Sequence, residues 1–386
     1  MYDILCLGGN KMYKTYKFRL YPNDNQKALI HKTFGCSRFI YNHFLDQCKN
    51  NGYKKSFDMI KELPKLKEEY EWLGEIDSCS LRCAIFNLED SYKNFFSKRS
   101  GYPSFKSKFK RQTYRTNCIK GEYKGNNYCS IELDLKNKKI KLPKLGLVDI
   151  RGYRNVEYIN GRIINVTVIY ENTDKYYVSV LIDEVETKQE KVKPTSMVGI
   201  DLGLKDLVVT SFGERYSNPK EIEKYEKRIR RMNKKLSREI RGSKNFLKTK
   251  KRLSRLYSKL KNARKHNIIK IVNKLVEKYD IIISEKLNVK NMSNNHKLAK
   301  NILDASFNKI CSMLLWKTKE KGKYYYQVDT YFPSSQICSH CGHRTKKVKD
   351  LGVREWECSN CKAINDRDIN ASENIMFEGL KYIFGN

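Results

Sequence analysis

Four cysteines stand in two matching pairs, Cys338/Cys341 and Cys358/Cys361, in the pattern C-x2-C-x16-C-x2-C. Two such knuckles can present four thiolates to one tetrahedral zinc ion, and the spacing lies in the range of structural sites. Four sulfur ligands close the coordination sphere, so this metal would hold structure and stay out of catalysis. His340 and His343 sit beside the first knuckle and could replace a cysteine, although the spacing favours the sulfurs. The chain has 12 cysteines in all, and the other eight are scattered and read as small core residues. A second chemistry lies in carboxylates. Asp201 ends a short apolar run, Glu285 ends a fully apolar one, and Asp366 and Asp368 open a final helix just past the second knuckle. Each alone is an ordinary turn or cap residue. If the two runs are parallel strands, their ends share one sheet edge, where the sites of α/β folds collect. Three carboxylates gathered there would repel one another without cations. Mg²⁺ takes oxygen ligands and leaves positions for water and phosphate, and two such ions support in-line phosphodiester cleavage.

The elements that must position these groups follow from hydrophobic periodicity. Met197–Asp201, Leu207–Thr210 and Glu214–Ser217 read as strands, as do Ile281–Ser284 and Tyr324–Val328, with a helix over Ile302–Trp316. Three strands, a helix, a strand, a helix and a strand is the order of a ribonuclease-H-like α/β fold. Further upstream, Tyr16, Phe18 and Leu20 alternate with Lys17 and Arg19 as a half-exposed strand that Pro22 ends. Met12 begins that strand, so residues 1–11 read as an upstream extension. Helical spacing follows in Ile30, Phe34, Tyr41 and Phe44, and in Leu81, Ile85, Leu88, Tyr92 and Phe95. Strands return around Ile131–Leu135, Ile164–Val168 and Val178–Ile182, the last two joined as a hairpin. These strands and the first could close one small β-barrel, with the helical part inserted between its pieces.

Charge sets the partner class. The chain carries 78 Lys/Arg against 43 Asp/Glu in 386 residues, a net charge of +35. Such a surplus repels itself, and nucleic acid is the commonest polyanion that relieves it. Residues 220–265 hold 20 Lys/Arg and 4 Asp/Glu. There, Ile222, Tyr225, Ile229, Met232 and Leu236 face Leu253, Leu256, Leu260 and Ala263 across Gly242, giving a basic helical hairpin suited to a phosphate backbone. Gly101–Arg115 interleaves Lys106, Lys108, Lys110, Arg111 and Arg115 with Tyr102, Phe105, Phe109 and Tyr114. That mixture suits a groove that tracks a backbone and offers stacking rings; Lys106, Arg111 and Arg115 are candidate contacts. No apolar run approaches the roughly 18–20 residues of a membrane span, and the first residues lack the basic start of a signal peptide. The reading is a cytoplasmic chain, nucleoid-associated in a bacterial-type cell.

The motifs MYKTYKFRLYP (12–22), GYPSFKSK (101–108), GIDLGLKDL (199–207), NHKLAK (295–300), FPSSQICSHCG (332–342) and DRDINASENI (366–375) together resemble the TnpB family. These are the OrfB-type proteins of bacterial insertion elements, RNA-guided DNA endonucleases related to type V CRISPR effectors. The resemblance covers the chain from Met12 onward. It implies a wedge β-barrel (first strand within 1–23, remainder 116–193) interrupted by a helical recognition domain (24–115). A RuvC nuclease domain (194–386) would follow, with the basic hairpin at 220–275 and a zinc ribbon at 333–365. It implies Asp201, Glu285 and Asp368 as catalytic acids holding two Mg²⁺, with Asp366 the alternative third acid. It further implies a guide RNA from the element's end, double- and single-stranded target DNA beside a short adjacent motif, and a monomer. Ser104, Lys286, Phe307, Asn365 and Ser372 depart from the usual pattern, and none removes a carboxylate. The alternatives are an idle guided repressor, disfavoured by the intact acids, and a transposase accessory protein, disfavoured because no His-hydrophobe-His with a tyrosine nucleophile stands out.

Overall fold

The structure, a computed structural model, describes residues 12–385 except 124–125, 153–160, 172, 185–190, 293, 346–347 and 349–351. The proposed extension at 1–11 lies outside them. The chain divides into two compact units, Met1–Thr187 and Lys188–Asn386.

In the first unit β1 (Met12–Tyr21) turns Tyr16, Phe18 and Leu20 into a core and leaves Lys17 and Arg19 half exposed. Pro22 stops the strand, and Asn23 caps α1 (Asp24–Asn51) in a reciprocal box with Gln26, which satisfies two orphan donors at once. α1 packs with α2 (Ser56–Glu69) and α3 (Ser78–Phe96) around Ile40, Phe44, Met59, Leu63, Leu81, Ile85 and Leu88. Eight strands follow: β2 (Gln112–Asn117), β3 (Lys120–Tyr123), β4 (Asn126–Cys129), β5 (Glu132–Asp134), β6 (Lys139–Leu142), β7 (Gly146–Arg151), β8 (Gly161–Glu171) and β9 (Lys175–Glu184). Seven of the unit's strands form one antiparallel sheet in the order β2-β8-β9-β1-β7-β6-β5. β1 therefore lies at the centre, pairing Leu20 with Tyr176 of β9 and with Ile150 of β7. Among the described residues no ladder joins the edge strands β2 and β5. The chain passes from β2 to β5 through the separate β3–β4 hairpin, whose base is tied where the Ser130 amide donates to the Ile119 carbonyl at 2.9 Å. The strands expected to build a barrel form one sheet about one core, with Phe18, Ile140, Val148, Val166 and Val180 inside. β6 and β7 have no counterpart in the sequence reading.

The second unit begins with β10 (Met197–Asp201), β11 (Asp206–Thr210), β12 (Arg215–Ser217), α4 (Glu221–Arg238) and α5 (Lys244–Lys278). After them come β13 (Ile281–Glu285), α6 (Val289–Met292), α7 (His296–Ala305), α8 (Phe307–Glu320) and β14 (Tyr324–Val328). The chain ends with β15 (Glu355–Glu357), β16 (Ile364–Asp366) and α9 (Arg367–Phe384). The sheet order is β12-β11-β10-β13-β14, antiparallel as far as β10 and parallel from β10 to β14. Side chains alternate along each strand. Val198, Ile200 and Ile282 meet α5 and α8 through Val272, Leu275, Phe307 and Ile310, while Ile281 and Ile283 meet α9 through Ile375. α9 comes so close that a Cβ on Gly199 would lie 2.0 Å from the Ser372 carbonyl oxygen. One on Gly379 would lie 2.5 Å from Ile283 Cγ2. Glycine at both places is a packing requirement.

The basic hairpin forms as its stripes require: Ile229 and Met232 of α4 pack on Leu253, Leu256 and Leu260 of α5. Its base is tied by buried Asp304, which pairs with Arg264 and accepts the Ile222 amide at 3.3 Å. The single helix expected over 302–316 is two. Ser306 takes a left-handed conformation, φ +56°, and its hydroxyl donates to the Leu303 carbonyl, which breaks the helix between α7 and α8.

Candidate active site and zinc cluster

β10 and β13 run parallel in register, with Ile200 opposite Ser284, so Asp201 and Glu285 leave the sheet side by side at the same end. Burial and the charges of Glu285 and Asp368 push the Asp201 carboxyl well above the usual range, against the opposing pull of Arg367. Burial pushes Glu285 up to about 7, with a hydrogen bond to Asp201 acting the other way. Two desolvated carboxyls in mutual contact favour their protonated forms because neither charge has a sufficient counter-ion.

The two aspartates of the last motif part company. Asp366 is the N-cap of α9: Oδ1 accepts the amides of Asp368 and Ile369 at 3.1 and 3.0 Å, and Oδ2 accepts from Arg215 at 2.7 Å. Asp368, at the start of the helix, lies in the field of Asp201 and is paired with Arg215 at 3.6 Å and Arg354 at 3.5 Å. Among the described residues the four cysteines alone form a group of three or more such ligands within 4.8 Å. Asp201 and Glu285 are brought together; Asp368 does not complete a trio of that tightness.

The cysteines converge as their spacing requires. Cys338 and Cys361 Sγ are 3.7 Å apart, and Cys341 and Cys358 Sγ 3.6 Å. A tetrahedron of Zn–S bonds near 2.3 Å has edges of about 3.8 Å, so the set fits zinc. Each knuckle closes on a left-handed residue, Gly342 at φ +74° and Lys362 at φ +63°. Its amide reaches back to the carbonyl of Cys338 or Cys358. The His343 amide and Asn360 hold the Cys341 thiol down to about 6. His343 bonds Ser359 rather than joining the sulfurs. Asn365 is buried and directs its amide at Cys338 Sγ, so this departure from the family pattern supports the four-sulfur cluster. Asn370 and Asn374, one turn apart on α9, bond Ser339, Ile337 and Ser334 and seat the ribbon on the helix. Sequence reasoning missed both; their i, i+4 spacing after the Asp-Arg-Asp triplet was the available signal. Arg215 and Arg354 gave no signal.

In the first unit Lys106 places Nζ 3.7 Å from the Tyr41 ring centroid. Desolvation brings its ammonium down to about 8, a pull that the ring face opposes. Arg111 is exposed just before β2. Arg115 is half buried, with its guanidinium against the Cys83 thiol.

Three family models match the chain: "Probable transposase" (OrfB_IS605) over 179–296, "Cas12f1-like, TNB domain" over 307–375, and "Helix-turn-helix domain" over 12–56. The last segment is β1 and α1 here. A Streptomyces pristinaespiralis protein carrying the name "Putative RNA-guided DNA endonuclease" is 32% identical over 95% of this chain and 89% of its own length. The chain belongs to the TnpB family. A family relative from Escherichia coli (strain K12), InsQ, bears the same description and is 29% identical over 96% of this chain and 93% of its own. Two solved structures share the fold. The Cas12f1-sgRNA-target DNA complex aligns with TM-score 0.58 and 14% identity over 95% of this chain and 99% of that one. The mini-RNA-guided endonuclease CRISPR-Cas_phi3 gives TM-score 0.50 and 10% identity, over 95% and 92%. Among the described residues no helix is long and apolar enough to cross a membrane.

Proposed function

We propose that this transposon-family protein is an RNA-guided DNA endonuclease whose second unit is a RuvC-type nuclease domain. The observation that carries the reading is the pairing of Asp201 and Glu285 at adjacent parallel strand ends, desolvated and short of positive charge. Such a pair is an electrostatic demand for divalent cations. Asp201, Glu285 and Asp368 would hold two Mg²⁺. When bound, such ions supply a water nucleophile at neutral pH and neutralise charge on the leaving oxygen. The chain's own part is to fix two oxygen donors on rigid strands and to carry the third on a helix capped by Asp366. Arg215 and Arg354 balance the charge of Asp368 meanwhile. Cys338, Cys341, Cys358 and Cys361 would hold one structural zinc. The first unit supplies the wedge and recognition parts, and a guide RNA from the element's end selects DNA beside a short adjacent motif. The names of its relatives, the shared fold and the net charge of +35 support these partners.

The test is co-purification from a host carrying the native locus, sequencing of the bound RNA, and cleavage of matched DNA by wild type and Asp201→Ala. A discrete RNA ending at the element boundary, and cleavage that Asp201→Ala abolishes while RNA stays bound, is the expected result. A random RNA population would remove the guided reading, and surviving cleavage would remove the site assignment.

A further inference from the structure

The loop between α3 and β2 borders a cavity of about 310 Å³ whose lining includes Tyr41, Asn94, Tyr102, Phe105, Lys106 and Lys110. Phe105 is 47% exposed and stacks on no ring among the described residues. Tyr102 is 48% exposed but fixed: its hydroxyl lies 2.9 Å from that of Tyr92, and its ring meets Phe95 edge-on at 5.3 Å. Beside them, Lys106 is paired with no carboxylate among the described residues and rests on the Tyr41 ring.

The loop is built to hold this arrangement. Asn42 brackets the Lys106 backbone, accepting its amide at 2.8 Å and donating to its carbonyl at 3.0 Å. The Gln112 side-chain amide donates to the carbonyls of Ser107, Lys108 and Lys110. Arg38 in turn fixes Gln112 at 2.7 Å. An exposed phenyl ring costs free energy in water, and a loop clamped at both ends presents it instead of folding it away.

A ligand for this place needs a flat apolar face and an adjacent anion. A nucleotide has both. A duplex does not offer its base faces, because each already stacks on a neighbour. We propose that Phe105 and Lys106 form a site for one unpaired nucleotide, its base stacked on the Phe105 ring and its phosphate at the Lys106 ammonium. This deepens the nucleic-acid reading given above and is independent of whether the chain cleaves DNA.

The experiment compares the full chain's affinity, in Mg²⁺-free buffer at one salt concentration, for a single-stranded oligonucleotide and an abasic strand of the same length. The two carry the same phosphates, so electrostatics alone binds them equally. One stacked base should favour the base-bearing strand by about 5- to 140-fold. Phe105→Ala should remove at least about 5-fold of that preference and leave abasic affinity unchanged. Phe105→Leu keeps apolar bulk without the π face and should behave alike, which protects the test if the alanine variant folds poorly. Lys106→Gln should weaken both strands equally. Equal wild-type affinity for the two strands, or an undiminished preference in Phe105→Leu, overturns the proposal. Loss of guided cleavage with the preference intact would instead overturn the nuclease reading and leave this site standing.

Discussion

Glu285→Gln separates what this carboxyl costs the empty fold from what it does for function. In the metal-free protein Glu285 sits near 7 against an ordinary 4.5, because burial disfavours its charge. Below 4.5 the group is protonated in both folded and unfolded chains, so it leaves stability untouched. Between 4.5 and 7 the folded chain keeps a proton that the unfolded chain has released, and stability falls as pH rises. The full difference is about 3 kcal/mol, reached above roughly pH 7. A glutamine in its place has no proton to lose. At about pH 4.5 the variant should therefore melt with wild type. At about pH 8 it should melt roughly 6–12 °C higher, on the scale expected for a unit of this size. The assay is thermal unfolding in Mg²⁺-free buffer without chelator, so that zinc is retained, across that pH range. Added Mg²⁺ should stabilise wild type more than the variant, and the variant should not cleave. A stabilisation independent of pH, or a variant less stable than wild type in mild alkali, would refute the desolvation argument.

Three further outcomes follow from particular contacts. Asp366→Ala removes the α9 cap and should cost about 1 kcal/mol by denaturant unfolding; a loss of cleavage with no change in stability would make Asp366 a ligand instead. Gly199→Ala puts a methyl against the Ser372 carbonyl and should cost more than the usual ~1–3 kcal/mol of overpacking, read as insoluble expression or a collapsed melting temperature. Wild type should release one zinc per chain to a colorimetric chelator after thiol modification, and Cys358→Ser should bind less than about a tenth as tightly; two zinc ions per chain would contradict the closed site.

Much of the site was legible because its signals are local. Two apolar runs each end in an acid, and a parallel pairing that needs no knowledge of the rest puts Asp201 beside Glu285. Cysteine spacing is likewise a local constraint. The choice between Asp366 and Asp368 was not legible, since two acids two residues apart look alike until backbone amides claim one of them. The arginines that balance Asp368 come from β12 and the segment between the cysteine pairs, 153 and 14 residues away, and no periodicity links them. In the first unit the alternating KIKL of β6 has only two apolar residues and reads as polar loop, although Ile140 and Leu142 are buried. The helix break at Ser306 rests on one left-handed residue with a local bond back to Leu303, and a serine in an apolar helical pattern does not signal that conformation.

The central place of β1 has a consequence for how the protein is made. This strand leaves the ribosome before both of its neighbours, β7 and β9, which end at Arg151 and Glu184. At synthesis rates of about 5–20 residues per second, the 163 residues from Tyr21 to Glu184 take roughly 8–33 s. The α1–α3 trio needs only near neighbours in sequence and can form as soon as residue 96 emerges. Until β7 ends at Arg151 the strand is open along both edges, and until β9 ends at Glu184 it is open along one; meanwhile Phe18 and Leu20 have Ile30 and Phe34 of α1 as core partners, and Lys14, Lys17 and Arg19 guard the strand. A ribosome that stalls before Glu184 would release a folded helical trio carrying a bare strand, a ready substrate for chaperone or protease.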